Sequence, residues 1–379
     1  MKLIHLSDLH IGKRVNEFSM LEDQKYILAQ ILKIVEKEQP DGVILAGDIY
    51  DKTVPPAEAV AVFDKFLTDL SQLKISIFMI SGNHDSAERL SFGSSLMRDS
   101  QVYVAPVYDG KIFRICLKDK WGEVWVHLMP FLKPALVRHV FENEETGTCE
   151  EAVKTVLSHG QVDTNQRNIL VAHQFVTGAA LSESEELAVG GLDQISALLF
   201  DDFDYVALGH IHSPQSVGRE TIRYCGTPLK YSFSEAGQEK SVTVVELEEK
   251  GNIRVRTIPL KPLHEMRKLR GTYMEVTAKS FYEQFDREDY VQVTLTDEED
   301  ILDGIQKLRV IYPNLMRLEY DNRRTREERK IESVESIEKK SELELFEEFY
   351  EMQNNSSMSE IQREFTKKLI EELMGERKK

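Results

Sequence analysis

At 379 residues, 41% of them hydrophobic, the chain is long enough for one large domain and one or two smaller pieces, and its composition is that of a globular protein rather than a disordered one. A formal charge of −17 excludes a surface that is basic overall, so attraction to a polyanion would have to come from local patches, bound cations or a partner. Three cysteines (Cys116, Cys149 and Cys225) without metal-site spacing exclude a disulfide framework, and no apolar run approaches the roughly 18 residues needed to span a membrane.

The first predicted element is a strand over Leu3–Leu6, followed at once by Asp8-Leu9-His10; a start this early leads us to expect no signal peptide and a cytoplasmic protein. An amphipathic helix is predicted from Leu21 to Glu38, with Ile27, Ile31, Ile34 and Val35 on one face. A strand over Val43–Ala46 runs into Gly47-Asp48-Ile49-Tyr50-Asp51. After a helix from Ala57 to Leu73, a strand over Ile75–Ile80 runs into Gly82-Asn83-His84-Asp85. A further helix is expected from Ser86 to Met97, carrying Leu90, Phe92 and Leu96. Buried strands over Ile169–Ala172 and Tyr205–Leu208 precede His173 and Gly209-His210-Ile211-His212. Alternation over 102–130 and 221–260 predicts antiparallel strands that complete a two-sheet α/β sandwich flanked by helices.

Beyond residue 262 the pattern becomes that of a small α+β unit over 263–321: strands at Thr272–Thr277, Tyr290–Leu295 and Leu315–Tyr320, with a helix near Ile301–Ile311. Residues 322–341 read as a charged linker, and 342–375 as two amphipathic helices. The first carries Leu345, Phe346, Phe349 and Tyr350; the second carries Met358, Ile361, Phe365, Leu369 and Leu373, with Ser357 or Ser359 as its cap.

Each polar signature of the large domain, 1–262, follows a strand, where ligands of parallel sheets bind. Asp8, His10, Asp48, Asn83, His173, His210 and His212 offer carboxylate, amide and imidazole donors without thiolate, a mixture suited to a pair of divalent transition metals. Two such ions can clamp a phosphate ester and activate water. Singly, each signature has an ordinary reading: Gly-Asp and Gly-Asn as turn chemistry, His173 as a hydrogen-bonded core histidine. The ordered set carries the metal reading. Lys13 and Arg14, one turn past the first ligands, are candidate contacts to a phosphate backbone.

In this order, DLH, GDIYD, GNHD, the isolated AH and GHIH resemble the signature of the calcineurin-like metallophosphoesterases. The resemblance implies one metal held by Asp8, His10, Asp48 and His212, a second by Asp48, Asn83, His173 and His210, and manganese as the usual ion. It implies that His84 contacts the scissile phosphate and acts as general acid, with Asp85 either orienting it or serving as a helix N-terminal carboxylate. Further stretches, MKLIHLSDLHIGK, LAGDIYDKTVPP, SGNHDS, ALGHIHSPQ and YCGTPLKYSFSE, are similar to the SbcD family of bacterial nuclease subunits over about residues 1–260. That likeness implies a Mn²⁺-dependent DNA nuclease for repair, recombination and replication, with 3′–5′ double-strand exonuclease and single-strand or hairpin endonuclease activities. It also implies an SbcC-type coiled-coil ATPase partner that the C-terminal helices would meet, a homodimer, and a place at the nucleoid in the cytoplasm. Archaeal relatives carry histidine at the position of Asp51, so its role stays open between loop anchor, contact to a metal-bound water and plain turn carboxylate. The competing readings are a small-molecule phosphodiesterase and a catalytically dead scaffold.

Overall fold

Five-residue runs of mostly apolar side chains form the centre of the fold, because a strand buried on both faces has no use for polar alternation. In the computed structural model, which describes residues 1–185, 193–323, 325, 343, 346, 347, 350 and 357–376, the chain divides into two units, Met1–Leu263 and His264–Lys379.

The strands of the first unit are β1 (Lys2–Leu6), β2 (Gly42–Ala46), β3 (Ser76–Ile80), β4 (Val102–Val104), β5 (Phe113–Asp119), β6 (Gly122–Leu128), β7 (Arg167–His173), β8 (Tyr205–Gly209), β9 (Gln215–Val217), β10 (Arg219–Tyr224), β11 (Ser241–Leu247) and β12 (Ile253–Pro259). One sheet has the order β12-β11-β1-β2-β3-β4 and the other β9-β10-β8-β7-β6-β5. Between them lies an apolar layer that includes Leu3, Ile44, Phe78, Val126, Val171 and Tyr205, each fully buried. Burying such a side chain contributes about 1.5–3 kcal/mol. Helices α1 (Leu21–Glu38) and α2 (Ala57–Gln72) bury Ile27, Ile31, Val35, Phe63, Phe66 and Leu70. Helices α3 (Pro134–Val140) and α4 (Cys149–Ser158) pack Val137, Val153 and Val156 with Leu170, Val206 and Leu208 of the second sheet. The α/β sandwich therefore has the fold class expected.

Strand direction is a point of correction. Hairpin β5–β6 and strands β11 and β12 are antiparallel as expected, but β4 pairs parallel with β3, β6 with β7, and β10 with β8. Alternation reports which faces are buried and carries no information about direction. The helix expected over Ser86–Met97 is two separate turns, Ala87–Leu90 and Ser94–Met97, broken at Gly93, whose φ of +72° ends the right-handed path. Phe92 and Leu96 stay 83% and 81% exposed, so neither belongs to the core of its own unit.

In the second unit β13 (Met266–Gly271), β14 (Tyr290–Leu295) and β15 (Leu315–Tyr320) form a parallel sheet in that order. The strand expected over 272–277 is instead a helical turn, α5 (Tyr273–Val276). Thr272 Oγ1 accepts from Glu275 N–H at 3.3 Å while Glu275 Oε2 accepts from Thr272 N–H at 2.7 Å, a capping box that outweighs the β-branched content. Helix α6 (Gly304–Arg309) joins β14 to β15, and Val276, Val293, Leu308 and Tyr312 form the core. Arg267 and Arg270 are paired with Asp289 and Asp321, each at 2.5 Å. Of the linker only Asn322, Arg323 and Thr325 are described, and Leu345, Phe349 and the Leu373 side chain also lie outside the described residues. Helix α7 (Glu360–Glu376) begins after Ser359, whose Oγ accepts from Gln362 N–H at 3.4 Å; Ile361 and Phe365 are exposed. Among the described residues no helix is long and apolar enough to cross a membrane.

Candidate metal centre

Five loops leave the carboxyl ends of β1, β2, β3, β7 and β8 on one side of the sandwich, and their first residues meet. The loops after β1 and β2 stay paired past the sheet: Asp8 N–H donates to Gly47 O, His10 N–H to Asp48 O and Ile11 N–H to Ile49 O, at 2.9–3.0 Å. Asp8, His10, Asp48 and His210 all adopt positive φ, at 53°, 44°, 49° and 97°. That backbone is sparsely populated by non-glycine residues and costs on the order of 1–3 kcal/mol per residue, so the surroundings hold these side chains where they are. Gly47 (φ +88°) and Gly82 allow the approach: a Cβ at Gly47 would lie 2.4 Å from His173 Nδ1, and one at Gly82 only 2.1 Å from Asp48 Oδ1.

All seven ligand candidates converge. Asp8, His10, Asp48, His173 and His212 are at most 2% exposed and His210 7%. His173 Nε2 lies 3.2 Å from Asp48 Oδ2 and 3.1 Å from Asn83 Oδ1, which in turn is 2.9 Å from His210 Nδ1. His10 Nε2 faces His212 Nε2 at 3.1 Å and Asp48 Oδ2 at 3.7 Å. Asp8 Oδ1 accepts from His210 N–H at 2.9 Å, and the hydroxyl of Ser7 donates to its Oδ2.

The electrostatics are those of a site built for cations. Burial, opposed by His173 and reinforced by Asp48, pushes Asp8 up to about 7. Burial also acts against ionised Asp48, but His173, His10 and His84 outweigh it and hold that carboxyl well below the usual range. Burial alone would discharge His173, yet Asp48 and Asp8 raise it to about 9. Burial lowers His10, His212 and His210, the last to about 4 with His173 contributing. Two neutral imidazoles thus turn nitrogens toward each other at 3.1 Å, and His10 Nδ1 is buried with no hydrogen-bond partner among the described residues. Neither Asp8 nor Asp48 pairs with arginine or lysine among them. Buried acceptors arranged in this way are costly unless a cation neutralises them. Three sets of donor atoms, each within 4.8 Å of one another, are Asp8 with His10 and His212; His10 with Asp48 and His84; and Asp8 with Asp48 and His173. Oxygen and imidazole donors without thiolate fit divalent ions.

The second set of expectations fares differently. His84 reaches the cluster: its N–H donates to Asp48 Oδ1 at 2.9 Å, its ring stands edge-on to His10 at 4.8 Å, and its Nδ1 lies 3.0 Å from Asp51 O. Asp85 does not orient that ring. Its carboxylate accepts from the N–H groups of Ile49, Tyr50 and Gly82 at 3.0–3.1 Å, which ties the Asp48 loop to the Asn83 loop. Lys13 Nζ pairs with Asp51 at 2.8 Å, and Arg14 turns its guanidinium to the carbonyl of Glu17 while remaining exposed. Asp51 binds Lys13 by its side chain and His84 by its carbonyl, contacts that suit a loop anchor, and its Oδ1 lies 3.9 Å from His10 Nδ1.

Sequence reasoning missed the support beneath the loops. Tyr231 O–H donates to Leu9 O at 2.6 Å, Gln24 Nε2 donates to His10 O at 2.8 Å, and Gln24 Oε1 accepts from Gly12 N–H at 2.9 Å. Behind His212 stand Ser184, Glu235 and Lys240. Tyr231 and Glu235 fall within the YCGTPLKYSFSE stretch, whose buried polar residues were a signal; Gln24 and Ser184 had none.

Comparison with known proteins is consistent with this geometry. Residues 1–214 match the family described as calcineurin-like phosphoesterase, and residues 262–354 match one described as the type 5 capsule protein repressor C-terminal domain. The chain is 34% identical over 377 residues to the SbcD subunit of the SbcCD nuclease of Staphylococcus epidermidis, covering 98% of each. Among solved structures it is similar to a dimetal phosphatase from Danio rerio (TM-score 0.40, 11% identity, 69% of this chain and 98% of that one) and to a protein from Thermus thermophilus (TM-score 0.37, 11% identity, 68% and 98%).

Proposed function

Because this chain belongs to the calcineurin-like phosphoesterases, and within them to the SbcD nuclease subunits, and is a metal-dependent phosphodiester hydrolase, we propose that its substrate is DNA and its working ion Mn²⁺. The observation that carries the reading is the convergence of Asp8, His10, Asp48, Asn83, His173, His210 and His212 from five strand ends into one buried cluster. One ion would be held by Asp8, His10, Asp48 and His212, the other by Asp48, Asn83, His173 and His210. When bound, the two ions supply charge to the phosphodiester and lower the pKa of the attacking water.

The chain's own residues do the rest. Asp48 lies between the two sets, in contact with His173 on one side and near His10 on the other. His173 keeps its Nδ1–H on Ala46 O at 2.8 Å, which leaves Nε2 to face the cluster. His84 is held in the same way: Nδ1–H donates to the Asp51 carbonyl, so Nε2 is the nitrogen turned to the site, placed to deliver a proton to the departing 3′ oxygen. Asp85 positions both loops through its three amide bonds rather than touching substrate. Arg14, exposed on the first loop, is the proposed contact to the DNA backbone.

In this reading the subunit has 3′–5′ double-strand exonuclease and single-strand or hairpin endonuclease activities, works in the cytoplasm at the nucleoid, and assembles with an SbcC-type ATPase. The exposed Ile361 and Phe365 of α7 support docking to a coiled coil, and exposed Phe92 and Leu96 support a homodimer. The test is cleavage of end-labelled duplex and hairpin DNA in Mn²⁺ beside His84→Ser. Metal-dependent cleavage that is lost in the variant is expected. Intact DNA together with rapid hydrolysis of a small phosphodiester would contradict the DNA assignment.

A further inference from the structure

His212 is held from behind by a chain of side chains, half-buried at Ser184 and buried at Glu235 and Lys240, that the metal-ligand signatures themselves do not contain. Its Nδ1 lies 2.5 Å from Ser184 Oγ, and that oxygen lies 2.5 Å from Glu235 Oε1. Glu235 is fully buried, and its other oxygen pairs at 2.6 Å with Lys240, itself 2% exposed on its side chain. A buried carboxylate so close to an ammonium accepts hydrogen bonds and does not donate them. Ser184 Oγ also lies 2.8 Å from Ser182 Oγ, but its closer approach to a carboxylate oxygen needs a proton between the two, so the hydroxyl proton of Ser184 goes to Glu235 and its oxygen accepts from His212 Nδ1–H. With its proton placed there, the ring has one remaining lone pair, on Nε2, the atom that faces His10 Nε2 at 3.1 Å. The backbone of His212 is fixed on both sides as well: Lys240 Nζ donates to its carbonyl at 2.9 Å, and Glu185 Oε1 accepts from its N–H at 2.8 Å.

We propose that Ser184 and Glu235, with Lys240 as counter-charge, are positioning residues that hold His212 in the Nδ1–H tautomer and present Nε2 to a divalent cation. The inference rests on reading the cluster as a metal centre. Outer hydrogen bonds of this kind fix ring orientation and raise ligand basicity. His173 obtains the same service from the backbone, through Ala46 O, whereas His10 Nδ1 has no hydrogen-bond partner among the described residues, its nearest carboxylate oxygen being Asp51 Oδ1 at 3.9 Å. At His212 the service is given by side chains, so substitution can remove it.

The experiment is calorimetric titration of Mn²⁺ into the full chain after chelator treatment, for wild type, Ser184→Ala and Ser184→Thr, with unfolding followed in parallel. Glu235→Gln alone would leave Lys240 as a buried unpaired charge, so the serine pair decides. Ser184→Ala should weaken one Mn²⁺ site about 10–100-fold, the usual effect of losing an outer-shell partner, while the metal-free chain still unfolds in one cooperative transition at a somewhat lower midpoint, and Ser184→Thr should restore the affinity. Wild-type affinity in Ser184→Ala, or a loss that Ser184→Thr fails to recover, would overturn the proposal. Failure of wild type to bind Mn²⁺ at all would overturn the metal-centre reading itself.

Discussion

Asp85→Asn is the substitution whose cost follows most directly from the geometry. The wild-type carboxylate receives three backbone N–H groups, from Ile49 and Gly82 on Oδ2 and from Tyr50 on Oδ1. Asparagine is nearly the same size but has one oxygen, so its NH₂ must face at least one of those donors. Oriented with its oxygen at Oδ2, it keeps two bonds and orphans Tyr50 N–H; turned over, it orphans two. An unsatisfied buried donor costs about 1–3 kcal/mol, and the lost charge on the acceptor weakens the bonds that remain. For a unit of this size each kcal/mol lowers the melting midpoint by about 2–4 °C, so a drop of roughly 2–12 °C is expected. Thermal unfolding of the metal-free chain by circular dichroism is the assay. The same loops carry Asp48 and Asn83, so Mn²⁺ affinity should fall together with stability. A variant that melts with wild type and binds Mn²⁺ equally well would refute the role given to Asp85.

Other expectations can be tested independently. Mn²⁺ affinity should rise with pH, because a proton on His173 Nε2 occupies the lone pair a metal needs. With His173 raised to about 9 and Asp8 to about 7, binding weakens as pH falls through about 9 and again through about 7, with protons released on binding; titrations in buffers of different ionisation enthalpy measure that release, and a pH-independent affinity would refute the assignment. Gly82→Ala places a Cβ 2.1 Å from Asp48 Oδ1, so it should abolish Mn²⁺ binding, and a loaded variant would show that the Asp48 carboxylate is not confined there. Phe92→Ser with Leu96→Ser removes the exposed apolar pair. If these residues make the proposed homodimer, sedimentation velocity should show a dimer in wild type and a monomer in the variant, and a dimer in both would count against that surface.

Much of the fold was legible because it is written in burial. Runs such as Val43–Ala46 and Tyr205–Leu208 have no polar face to hide, and α1 shows its apolar stripe so plainly that its bounds, Leu21–Glu38, match the expectation. Direction was not legible, since the same alternation serves β10 parallel to β8 and β5 antiparallel to β6. Over Thr272–Thr277 the capping box of Thr272 and Glu275 prevails over a β-branched stretch, and over Ser86–Met97 the positive φ of Gly93 breaks the helix. At the centre, residues at strand ends could be collected from five motifs because parallel topology brings such ends together. The partners of Asp85 and Lys13 could not, since they depend on which way a loop turns after its positive-φ residue. The support from Gln24, Tyr231, Ser184 and Glu235 is tertiary in origin, joining positions up to 222 residues apart.

The central claim is that these five strand ends hold a pair of divalent ions around Asp48. Diffraction from crystals grown with Mn²⁺, recorded at the manganese absorption edge, tests it most directly. Two anomalous peaks about 3.5–4 Å apart are predicted, flanking the Asp48 carboxylate, one beside His10 and His212 and the other beside His173 and His210. A single peak, or ions bound away from Asp48, would contradict the account.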